Sequence, residues 1–140
     1  MNRAQRRSGK RPTLAQVQSV FGGVELFAQQ LMRGEVDASP DGTILYRDLE
    51  GMYYVAYPAL EGLIETWMDI AERARLTFDF EALRIVCRRL EYQMFIEPEL
   101  ANRFANVIAE MKKSYSLMNM YEVKEVVRAA EIRWRIAGDL

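Results

Sequence analysis

The chain has 140 residues, half of them hydrophobic and 28% charged, with 19 Lys/Arg against 20 Asp/Glu, one cysteine and no histidine. That length suits one domain with a sizeable core, and the balance is that of a globular protein. Without histidine no His-based triad, His-ligated zinc or Cys–His pair can be built. With Cys87 alone there is no internal disulfide. An enzyme would have to work with carboxylates, Lys, Tyr or that single thiol. No apolar run nears the roughly 20 residues of a membrane span, so no membrane role is expected.

The near-zero total conceals an uneven distribution. The first eleven residues hold Arg3, Arg6, Arg7, Lys10 and Arg11 and no acid; the rest of the chain carries 14 Lys/Arg against 20 Asp/Glu, about −6. The expected organisation is a flexible basic arm over 1–12 and a helical domain over 13–140. No apolar core follows the cations, as a secretory signal requires, and residues 1–11 lack the apolar face of a transit peptide. A cytoplasmic (bacterial host) or virion location is expected. A total charge near zero also does little to keep copies apart, which favours self-association.

Thr13 is the expected N-cap of a first helix whose apolar face is Leu14, Val17, Phe21, Val24, Ala28 and Leu31, stopped at Gly34. Gly22-Gly23 interrupts it. Two interior glycines cost roughly 2 kcal/mol relative to alanines and mark either a kink or a close approach of another helix; a kink is the expectation. Ser39-Pro40-Asp41-Gly42 is a strong turn, and with Val36, Ile44 and Tyr46 around it predicts a turn or hairpin-like loop near 35–48. Met52–Tyr57 leads into Pro58, which biases Tyr57 toward an extended conformation and starts the second helix, striped by Leu60, Ile64, Trp67, Ala71 and Ala74.

Asp79 is the expected cap of a third helix, with Phe80, Leu83, Cys87, Leu90 and Met94 on one face; Cys87 reads as a small buried residue. Pro98 opens a fourth, through Leu100, Phe104, Val107, Met111, Tyr115 and Met118. After a soft stretch at 114–119, Met120, Val123, Val127, Ala130, Trp134 and Ala137 define a fifth, ended by Gly138. The fold class predicted is all-α: a single-domain bundle of about five helices.

Glu61, Glu65, Asp69 and Glu72 form an acidic stripe opposite the apolar face of the second helix. Carboxylates alone hold Mg²⁺ or Mn²⁺ only when they converge inward. These read as a solvated or ion-paired face, and a carboxylate-metal enzyme on Glu61, Glu65 and Asp69 is the minor reading; no metal or cofactor is expected. Arg84, Arg88 and Arg89 on the next helix are expected to pair with that stripe.

Tyr53, Tyr54 and Tyr57 follow Tyr46 in the irregular region. Their readings are fold packing, then a protein interface, then base stacking, which the neighbouring Asp48, Glu50 and Glu61 oppose. Ser116–Tyr121 is too apolar for an exposed turn and suits a patch covered by another chain. The expected partner-binding surface therefore combines Tyr53, Tyr54 and Tyr57 with Met118, Met120 and Tyr121. Arg3, Arg6, Arg7, Lys10 and Arg11 are the candidate contacts to nucleic acid, sequence-independent and salt-sensitive.

The opening Met1-Asn2-Arg3-Ala4-Gln5-Arg6-Arg7 resembles the start of small bacteriophage and prophage accessory proteins, some of the tail-assembly or head–tail type. The resemblance covers seven residues, implies a phage context and transfers no functional residue. The chain thus reads as a non-enzymatic, phage-encoded protein that docks onto another protein as assembly factor, virion component or modulator of a host enzyme. A nucleic-acid-associated accessory protein acting through the arm is the alternative.

Overall fold

In the computed structural model of the chain, residues 10–119, 121 and 124 are described. Four helices and three short strands make up this part: α1 (Leu14–Arg33), β1 (Asp37–Ala38), β2 (Ile44–Arg47), β3 (Tyr53–Val55), α2 (Ala56–Ala74), α3 (Phe80–Glu91) and α4 (Pro98–Ser116). The protein is mostly helical, but not all-α: the loop expected near 35–48 is part of an antiparallel sheet of order β1-β2-β3. Of the fifth helix expected from Met120, Tyr121 and Lys124 are described and helical, and the rest lies outside the described residues.

Local chemistry sets the boundaries. Thr13 and Gln16 form a reciprocal capping box, Thr13 N–H donating to Gln16 Oε1 at 2.8 Å and Gln16 N–H to Thr13 Oγ1 at 3.2 Å. Gly34, at φ 70°, ends α1 in the left-handed conformation. Asp79 Oδ1 accepts from Ala82 N–H, and Pro98 occupies the first turn of α4.

Two expectations fail in α3 and α2. Helix α3 stops at Glu91 rather than running through Met94: Gln93 turns left-handed at φ 54° and Met94 N–H closes back on Arg89 O at 2.7 Å. Helix α2 begins at Ala56, two residues before Pro58, because Tyr53–Val55 is held as a strand against β2 and the proline ring fits within the first turn.

Phe27 meets Phe104, Glu25 meets Lys112 and Phe21 meets Tyr115, so α1 and α4 run antiparallel. Helices α2 and α3 run antiparallel across the link 75–79, and α3 packs in turn on α4. Phe21, Trp67, Tyr115 and Phe78 form an edge-to-face aromatic cluster at the centre. Among the described residues no polar or charged side chain is buried, so the core gains its stability from apolar area and packing.

The sheet packs on α1 and α2. Its seat explains Gly22-Gly23, across which α1 continues without interruption. A Cβ on Gly22 would stand 2.8 Å from Leu49 Cδ1; one on Gly23 would collide with Tyr46 Oη and stand 3.6 Å from Asp48 Cα. The close approach is real, but a hairpin makes it, not another helix. The glycines form a shelf that lets strand side chains lie against helix backbone.

Candidate functional site

The β2–β3 hairpin is built from its turn outward. Asp48 Oδ1 accepts from Glu50 N–H at 3.0 Å and Met52 N–H at 2.9 Å, and Gly51 takes φ 86°. That fixes a three-residue loop, Leu49-Glu50-Gly51, and with it the register Arg47–Tyr53, Tyr46–Tyr54, Leu45–Val55. The companion β1–β2 turn is held by Asp41, whose carboxylate accepts from Ser39 Oγ and from Thr43 N–H at 3.0 Å. These bonds, the Ser39 one first, lower the Asp41 pKa from 3.8 to about 2.

Alternation along the strands sorts the side chains. Tyr46 turns inward, its ring 5.9 Å from that of Phe27 in a T-shaped contact. Burial, with the Asp48 carboxylate adding, raises its hydroxyl pKa. Its cross-strand partner Tyr54 shares that face but is left exposed at the rim. Arg47, Tyr53, Leu45 and Val55 share the outer face. The result is an exposed run, Met52, Tyr53, Tyr54 and Val55, joined by Leu49 at the tip. None is charged.

A second exposed group was hidden in the sequence. Tyr92, Met94 and Phe95 follow α3, and Phe95 is 75% exposed. Cys87 Sγ donates to Tyr57 O at 3.3 Å, so the end of α3 lies beside the start of α2. A Cβ on Gly42 would stand 2.9 Å from Gln93 Oε1, so the same loop meets the β1–β2 turn. Both exposed groups therefore belong to the end of the molecule that carries the sheet. Met94 was masked by the heptad rhythm of α3; the signal that exposes it is the need for a linker ahead of Pro98.

The predicted residues divide. Tyr53 and Tyr54 are exposed on β3. Tyr57 is half-buried and packs on the core, as does Met118. Tyr121 is half-buried, its N–H donating to Asn119 Oδ1 at 2.9 Å. Met120, Arg3, Arg6 and Arg7 lie outside the described residues; Lys10 and Arg11 are exposed. Of the surface expected to join both regions, Tyr57 and Met118 are partly buried against the core, each continuing an apolar stripe.

Glu61, Glu65 and Glu72 are exposed and Asp69 half-buried, and no group of three or more metal-ligating side chains able to hold an ion occurs among the described residues. Of the α3 arginines expected to pair with this stripe, Arg89 pairs with Glu97 at 2.9 Å instead, and Arg84 Nη2 lies 3.1 Å from Met68 Sδ. A further pair, Arg103–Asp79 at 3.0 Å, ties α4 to the α3 cap. Cys87 is buried; desolvation first, then the charges of Glu61 and Glu91, push its thiol up to about 11. It is protonated at neutral pH and a poor nucleophile. An apolar cleft of about 110 Å³ opens between α1, β2 and α2, lined by Val20, Val24, Tyr46, Ala59 and Leu63 among others. No helix among the described residues is long and apolar enough to cross a membrane.

No family model, curated protein or solved structure matches the chain.

Proposed function

We propose that this chain is a non-enzymatic docking protein that engages another protein through its sheet end, in a phage setting as assembly factor, virion component or modulator of a host enzyme. The observation that carries the reading is the run Met52–Val55: four successive exposed, uncharged residues leading into and along β3, an edge strand of the sheet. Edge strands without charge, proline or a bulge invite pairing. Strand β3, three residues long, has none of these three. Tyrosine is also a residue enriched at interfaces, where its ring buries area and its hydroxyl keeps a partner.

The test is site-specific photo-crosslinking in the cell that expresses the chain. A photoreactive residue at Tyr53 should give a discrete adduct, and one at exposed Gln29 on α1 should not. Equal labelling from both positions would refute the assignment of the sheet end. Deleting residues 1–11 should leave the adduct intact. Loss of the adduct on that deletion, with a salt-sensitive gel shift that depends on the arm, would favour the nucleic-acid reading instead.

A further inference from the structure

The choice of occupant rests on the reading of β3 as a docking strand, and the strand's own geometry narrows it. Arg47 faces Tyr53, so Asp48 faces Met52, and Asp48 N–H donates to Met52 O at 3.0 Å. In an antiparallel ladder, bonded and non-bonded pairs alternate. Tyr46–Tyr54 is therefore the next bonded pair, and Tyr53 is left with both its N–H and its C=O directed away from β2. Among the described elements β2 and α2 make the main packing contacts with β3. A residue with both groups outward is self-complementary, since a two-fold axis beside it lets each copy donate to and accept from the other.

We propose that the occupant of the β3 edge is a second copy of this chain, paired antiparallel about Tyr53 so that two three-stranded sheets become one. Charge is compatible with this partner. Strand β3 has no ionisable carboxylate or cation, so pairing it with itself sets no like charges opposite. The register centred on Tyr53 also places Glu50 of each copy opposite Ala56 of the other. Helix α2 begins there without a capping side chain and without an acid in its first turn. Glu50 is exposed in the hairpin loop, and its carboxylate complements the positive end of that helix. A chain charge of −1 adds little long-range repulsion between copies.

Sedimentation equilibrium of the full chain over a micromolar concentration series tests the proposal. The mass should rise from 16.3 kDa toward twice that value. Tyr53→Pro removes the outward N–H without touching the β2 ladder, and Tyr53→Lys sets two cations opposite; each should weaken the dimer at least tenfold, and Glu50→Gln severalfold. Circular dichroism confirms that each variant keeps its helices, and Tyr53→Lys stands in if the proline variant does not fold. Tyr53→Cys should form an intermolecular disulfide on mild oxidation, because bonded pairs place Cα atoms about 5.5 Å apart, within disulfide reach; Gln29→Cys should not. A monomer at every concentration, or a dimer indifferent to both Tyr53 variants, overturns the inference. If the chain is monomeric yet the Tyr53 crosslinker still captures a different protein, self-pairing falls and the docking reading stands; if it captures nothing, both fall.

Discussion

The helical layer and the sheet layer treat apolar side chains in opposite ways. On α1 to α4 the stripes that carry Phe21, Trp67, Leu83, Phe104 and Met111 are buried, each helix finding two neighbours to cover it. On the hairpin, Met52, Tyr53, Tyr54 and Val55 are comparably apolar and stay exposed. The difference lies in layering. The three-stranded sheet has one face on α1 and α2, and among the described residues no element packs on its outer face. Exposure at β3 is thus a property of its place in the fold, whereas burial in the helices follows directly from periodicity.

The largest expected effect strikes the helical side. Phe21 is fully buried and contacts both Trp67 and Tyr115. Phe21→Ala should cost about 3–5 kcal/mol in urea unfolding. A loss below about 1 kcal/mol would mean that the aromatic cluster is not the centre of the core, and the contrast between the layers would lose its first term.

The next effect falls on the seam between the layers. Gly23→Ala drives a methyl into the Tyr46 hydroxyl, an overpacking expected to cost about 1–3 kcal/mol, offset by about 1 kcal/mol of helix propensity. Tyr46→Phe removes the colliding oxygen and leaves the ring carbon 3.2 Å from the new methyl. The double variant should therefore recover most of the loss. If Gly23→Ala alone stabilises the protein, the glycine is not a seat for the hairpin.

These cases also show what could be read from sequence. Thr13, Gly34, Asp79 and Pro98 act at single positions through bonds to adjacent backbone, so four helix ends were legible, as were the buried stripes and Cys87. Gly22-Gly23 was legible as an anomaly, but the feature that explains it, Tyr46 lying on Gly23, is a long-range contact no local pattern encodes. Strand β3 escaped for the same reason: Met52–Val55 has no alternation, and only pairing with β2 makes it a strand. Of the site, Tyr53 and Tyr54 were identified by composition. Tyr92 and Phe95 were missed because the apolar rhythm of α3 runs on past Glu91, where the helix has already turned left-handed at Gln93.

A modest effect is expected with pH. The Cys87 pKa is raised from 9.0 to about 11, so folding holds the thiol neutral. A raised acid group lends stability in full below its unfolded pKa and loses it as pH climbs to the folded one. Stability should be unchanged up to pH 9.0 and fall progressively toward about 11, with Tyr46 and Tyr115, both raised by burial, extending the fall. Replacing Cys87 with Ala should remove the early part of that decline. On the sheet side, Asp41 runs the other way: its bonds to Ser39 and Thr43 act above pH 3.8 and are lost as pH falls to about 2. Midpoints of thermal unfolding across both ranges would show the two slopes.

The smallest stability effect is the most discriminating. Tyr53 is 51% exposed on the outer face of the sheet, and its replacement uncovers no core residue. At a concentration where the chain is monomeric, Tyr53→Lys should change unfolding free energy by no more than about 0.5 kcal/mol, the range of ordinary surface substitutions. Concentration matters because any dimer adds stability by mass action, and the variant would then lose that increment as well. The expected pattern is two unfolding curves that coincide when dilute and separate when concentrated. A loss above about 1 kcal/mol in the dilute sample would mean that Tyr53 belongs to the packed interior of its own chain. The exposed run on β3 would then be part of the fold, and the contrast between a closed helical layer and an open sheet layer would not hold.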